Sequence, residues 1–138
     1  MRAVDVALNS RLAADLGTAG TLGVLGITGV YRMQAPQGSV EPYVVFQEQA
    51  GVDSYTFNAR DARSLVYLVK VVDVGPSGLR AAQAAERVDF LLTDKALSVT
   101  SWNNLRLRRE SDIEYSEIDG GKTYQHIGAL FRVDVAPS

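Results

Sequence analysis

Few side chains in this sequence combine a reactive type with a useful spacing. His126 is the single histidine, in an alternating stretch that sets it beside Tyr124, Arg132 and Asp134 on the more polar side. A lone imidazole in a chain without cysteine does not complete a three-ligand zinc site. Acid–base work would need a positioned partner and a pocket, so a surface or interface role is expected. Asp73 ends a long apolar run and reads as a strand-end carboxylate, facing water or capping the next turn. Serines are frequent, but no G-x-S-x-G elbow occurs. "GVLGITG" lacks both the G-x-G-x-x-G order and the Lys-Ser/Thr of a phosphate-binding loop. Nucleotide binding is therefore set aside and no cofactor is expected. The enzymatic reading that survives is a small enzyme of unknown type using Asp73, His126 or Tyr124.

Charge patterning says more. Arg106, Arg108 and Arg109 are followed by Glu110, Asp112, Glu114, Glu117 and Asp119, with no base among residues 110–119. Asp112 and Glu114 fall on one face if this stretch is a strand. The run is either a solvated hairpin face, the common fate of such runs, or an acidic surface with a purpose. A second group lies in residues 50–63, where Tyr55, Phe57, Arg60 and Arg63 are the aromatic and arginine types that anchor interfaces.

These groups must be carried by a small set of elements. Val4, Ala7, Leu8, Leu12 and Leu16 recur at helical spacing and predict a helix over about residues 3–16, which Gly17 is placed to end. "GTAGTLGVLGITG" has five glycines in thirteen residues and reads as an apolar loop or short turn. Val30–Met33 suits a short strand. Pro36, Gly38 and Pro42 then exclude sheet interior, and Tyr43–Gln49 is a β-branched, aromatic strand. The proline-bounded stretch between them reads as a rigid crossing that delivers Tyr43 into the sheet. Residues 50–63 lack a period and predict a flexible loop or hairpin tip.

Ser64–Val74 is apolar on both faces and predicts a strand covered on both sides. Ser77 is a suitable cap for a helix over Leu79–Asp94, whose stripe is Ala81, Ala84, Ala85, Val88, Leu91 and Leu92. Val99–Ser111 and Asp112–Ile118 read as successive strands. "DGGK" is a hairpin turn, and the last strand alternates through Ile127, Ala129, Phe131, Val133 and Val135. The expected fold is α+β: a single domain over residues 1–138, a mostly antiparallel sheet and two helices packed on it.

With 138 residues, 46% hydrophobic and 22% charged, the chain suits one core rather than two. A net charge of −2 argues against a nucleic-acid coat or membrane-surface protein. The first residues match neither a signal peptide nor a membrane span.

The order of these pieces resembles the tail terminator (tail completion) proteins of long-tailed bacteriophages and related tail-like particles. The resemblance is carried by "ALNSRLAADL", "VYRMQAPQGSVEPYVVFQ", "LVYLVKVVDV", "GLRAAQAAERVDFLL" and the closing "EYSEIDGGKTYQHIGALFRV". It implies a non-enzymatic virion protein at the head-proximal end of the tail, assembled in the host cytoplasm. There it forms a homo-hexameric ring that caps the tail tube, ends its polymerisation and presents a surface to head-completion or neck proteins. DNA passes through such a ring without specific binding, and no catalytic residues carry over. Asp112 and Glu114 would then face the channel, where carboxylates repel phosphates. Tyr55, Phe57, Arg60 and Arg63 would meet a neighbour. Another neck or tail component, such as a head-closure or tube protein, fits the same features.

Overall fold

The computed structural model of the chain describes residues 1–18, 20–56 and 59–138. Its elements are α1 (Arg2–Ala13), α2 (Thr21–Val24), β1 (Val30–Arg32), β2 (Tyr43–Tyr55), β3 (Arg60–Val74), α3 (Leu79–Leu92), β4 (Ser98–Val99), β5 (Trp102–Asp119) and β6 (Lys122–Pro137). The six strands form one sheet in the order β1-β2-β3-β6-β5-β4. Every neighbouring pair is antiparallel except β1 with β2. The α+β expectation holds, with one addition: a four-residue helix, α2, inside the glycine-rich segment.

One face of the sheet carries the helices. Val4, Leu8 and Leu12 are the inward stripe of α1, and Ala81, Ala84, Val88 and Leu92 that of α3. They close over Phe46, Leu65, Tyr67, Val69, Phe131 and Val133, all essentially without solvent contact. Alanines on α3 let its backbone lie close to β3 and β6, so the larger residues come from the sheet. Burying each of these Leu or Phe side chains contributes about 1.5–3 kcal/mol. Arg11 fastens the two helices together. Its guanidinium donates to the Leu91 carbonyl at 3.0 Å, one of those the end of α3 leaves unpaired, and to the Ala96 carbonyl at 2.8 Å in the loop that follows.

The other face has no helix. Val66, Leu68, Val72 and Val74 of β3 point there, and cover is uneven: Val72 is buried, Val66 and Leu68 are half-buried and Val74 is exposed. The expectation that β3 is covered on both sides is thus corrected. The doubly apolar run reflects a curled sheet whose open side shields itself partly by cross-strand neighbours.

Three further boundaries move. β2 runs on to Tyr55 and β3 starts at Arg60, so most of residues 50–63 is hairpin arm, with bulges after Glu48 and Ser54. Residues 102–119 form one strand with bulges after Asn104 and Arg109 rather than two strands. The first helix stops at Ala13, before Gly17, whose φ of +92° serves the following turn. Ser77 does accept the Leu79 N–H at 3.2 Å, while the capping residue itself is Gly78 in the left-handed region.

Candidate functional site

The end of the β2–β3 hairpin carries Tyr55, Arg60 and Arg63 of the group in residues 50–63. Tyr55 pairs with Arg60 and Asp53 with Arg63 across the two strands. Arg63 donates through Nε to Asp53 Oδ1 at 2.7 Å, and Arg60 lies 3.6 Å from the same oxygen. The Arg60 guanidinium also sits over Trp102, 5.4 Å from its ring centroid. Tyr55 has no such support and is 68% exposed. Phe57, the fourth residue of the group, lies outside the described residues. Asp53 was hidden in a stretch that looks patternless, yet it is the anion that orders the two arginines.

Asp112 and Glu114 do share a face. They stand opposite Ala129 and Ile127, on the helix-bearing side, where a cleft of about 340 Å³ separates β5 from α3. Asp112 pairs with Arg109, which also approaches Asp89 of α3 at 3.8 Å. Glu110 pairs instead with Arg132, which holds its carboxyl below the usual range, and Arg132 donates to Ser64 Oγ at 2.7 Å. The acidic run is therefore divided: its beginning is neutralised within the chain, and Glu114 has no ion-pair partner among the described residues.

The three residues of the enzymatic reading are not brought together. Asp73 points to the helix side, where Arg80 of α3 binds it with two donors at 3.0 Å each. Tyr124 and His126 lie on the open side. Asp73 is buried rather than water-facing, because the turn after β3 folds α3 back over it. His126 is also buried, at 6% exposure, which corrects its expected surface placement. Its side was read correctly, but Tyr115 of β5 stacks on it at 4.4 Å with the rings 7° from parallel. Lys70 in turn donates to the Tyr115 hydroxyl at 2.7 Å.

His126 Nε2 meets Glu117 Oε1 at 2.6 Å, while Nδ1 is buried with no partner. The neutral ring with its proton on Nε2 satisfies this geometry; a second proton on Nδ1 would have no acceptor. Burial accordingly lowers the imidazole from its ordinary value near 6.5, the bond to Glu117 partly restores it, and Lys70 lowers it further. The unfolded chain binds this proton at a higher pH than the folded one does. The stabilisation is complete above about pH 6.5 and is lost as the pH falls through the window below it. His126→Phe keeps the stacking without the proton, so its melting temperature should decline less between pH 7 and pH 5 than that of the parent. Equal slopes would refute this account.

Among the described residues no group of three or more His, Cys, Asp or Glu side chains is arranged to hold a metal. Among the same residues no helix is long and apolar enough to cross a membrane. The fold and its surfaces define a single-sheet α+β domain whose distinctive features are long hairpins and unpaired strand edges.

No protein-family model and no curated protein matches the chain. Solved structures do share its fold. A chain of the virion of a native gene transfer agent particle superposes with a TM-score of 0.77 at 18% identity, covering 99% of both chains. A second solved chain superposes with a TM-score of 0.57 at 16% identity, over 99% of this chain and 94% of its own.

Proposed function

We propose that this chain is a structural protein of a phage-like virion, and specifically a tail terminator. In that role it forms a homo-hexameric ring that caps the tail tube, stops its growth and offers a surface to a head-completion or neck protein. The observation that carries this reading is the end-to-end structural likeness to a chain of a gene transfer agent virion. The sequence resemblance supplies the finer assignment. In the ring, Tyr55, Phe57, Arg60 and Arg63 contact a neighbouring subunit or the tube. Asp112 and Glu114 line the channel and repel passing DNA, a repulsion that reaches about 8 Å at physiological salt. Their shared face and exposure support the channel assignment, with Glu114 carrying the charge that has no ion-pair partner among the described residues and Asp112 paired to Arg109.

Particles made without this chain should carry abnormally long tails that lack heads. The double variant Tyr55→Ala, Arg60→Ala should shift the population the same way. Electron microscopy of negatively stained lysates reads both. Tails of normal length joined to heads, in the absence of the chain, would overturn the proposal. The alternative components leave different traces: loss of a tube protein removes tubes altogether, and loss of a head-closure protein leaves tails of normal length unjoined.

A further inference from the structure

The sheet ends in two long strand edges that no other strand among the described residues pairs with. β1 pairs with β2 only along Val44–Phe46, so the outer side of β2 is free from residue 47 to residue 55. On the opposite border, β4 pairs with Trp102 and Asn103 alone. The Asp94 N–H donates to the Leu107 carbonyl at 2.8 Å, which leaves residues 108–119 of β5 free. Free edges are usually protected by charge, proline or a covering segment.

The β2 edge has little of this protection. It contains no proline and no lysine, and its two acids, Glu48 and Asp53, are already paired within the chain. On the open face it presents Gln47, Ala50, Val52 and Ser54, all uncharged, and Val52 is 66% exposed. The β5 edge offers a matching uncharged stretch on that face, Ser111, Ile113 and Tyr115, set between Arg108 and Glu117.

Strand polarity completes the match. β2 and β6 run one way, β3 and β5 the other. A second copy related by rotation about an axis near the strand direction keeps its polarity, so its β2 lies antiparallel to the first copy's β5. The contact is heterologous, uses one edge of each copy, and repeats until a ring closes. We infer that the free edge of β5 pairs with the free edge of β2 in a second copy of this chain, joining the subunit sheets into one. This rests on the ring reading above and names the surfaces that close it.

The chain has no cysteine, which makes the test clean. Val52→Cys is combined in turn with Ser111→Cys, Ile113→Cys or Tyr115→Cys, to sample three registers. Within one chain these positions are separated by three strand spacings, about 14 Å, too far for a disulfide. Oxidation of the free protein and of tail-bound protein should give, for at least one pair, a ladder of covalent multimers that ends at the closed ring. Each single-cysteine chain should give none of it. The same samples are weighed by mass photometry. Rings without a covalent ladder for any pair would overturn the edge contact and leave the ring reading standing. No ladder and no multimer would overturn both. A single-cysteine chain that cross-links as fully as the pairs would also overturn it, because that outcome reports a symmetric contact.

Discussion

Replacing Asp15 with alanine is expected to cost about 3 kcal/mol, toward the lower end for breaking a buried pair because Arg87 keeps some solvent contact. Asp15 has a side chain 10% exposed and takes two donors from Arg87 of α3, at 2.9 and 2.8 Å. Its Oδ2 also accepts the Leu22 N–H at 3.0 Å, and its carbonyl accepts the Gly23 N–H at 3.0 Å. One residue thus joins the end of α1, the start of α2 and the middle of α3. Alanine leaves the Leu22 donor and the guanidinium without that acceptor and opens a gap. For a chain of this length the melting temperature should fall by roughly 10 °C.

Arg87 holds the Asp15 carboxyl below its ordinary value, helped by the Leu22 bond and opposed by burial. The unfolded chain takes up this proton first as the pH drops. The contribution is therefore complete above about pH 4 and is lost as the pH falls through the lower folded value. Asp15→Asn should lie between the parent and the alanine variant at neutral pH and should lack this acid dependence. Thermal melts at pH 7 and pH 3 check both parts, and an alanine variant as stable as the parent would refute the role given to this node.

Much of the architecture was legible because burial imposes a period. The stripe of α3 and the alternation of β6 both describe surfaces facing one core, while the apolar run of β3 marked an interior strand but overstated the cover on its open side. Features fixed by distant partners were not legible. Asp15 looks like a solvent-facing residue near a helix end, because Arg87 is 72 positions away. β5 leaves no strong signal, because Leu107 is its one fully buried residue and the rest alternates charges along an open edge. The side of His126 could be read from alternation, but its burial could not, since Tyr115 belongs to another strand. In the hairpin, Arg60 and Arg63 stand out by residue type, but Asp53, which pairs with both, does not. Its pairing depends on a register that no local pattern announces.

The glycine-rich segment belongs to the same class. Five glycines suggest an apolar loop or short turn, but they do not announce that two of them are pressed against main chain. A Cβ on Gly20 would come within 1.9 Å of the Asp15 carbonyl oxygen, and one on Gly23 within 1.8 Å of the Gly17 carbonyl oxygen. At Gly20 and Gly23 the chain lies so close to the main chain following α1 that a side chain is excluded. Gly20 and Gly23 mark close backbone approach, whereas Gly17 and Gly26 supply positive φ.

Gly128→Ala is expected to be as damaging, on the order of 4 kcal/mol, because the obstacle is main chain rather than a side chain able to turn away. Gly128 lies inside β6, opposite Lys70 on one flank and Ile113 on the other. A Cβ there would fall 2.1 Å from the Val69 carbonyl oxygen and 2.5 Å from the Lys70 Cα. Neither atom can move without parting β3 from β6 at the centre of the sheet. Glycine at this point lets the sheet curl, as interior glycines do where one backbone approaches another. The same row fixes where Asp112 and Glu114 of β5 stand relative to β3, so the geometry of the acidic strand depends on it. Gly38 is the control. Its φ of +87° leaves alanine strained, but nothing lies within 4 Å of its Cβ position, so Gly38→Ala should cost only about 1 kcal/mol. Denaturant titration of the two variants separates backbone strain from steric exclusion: a Gly128→Ala midpoint no lower than that of Gly38→Ala would mean that β3 and β6 are not pressed together there.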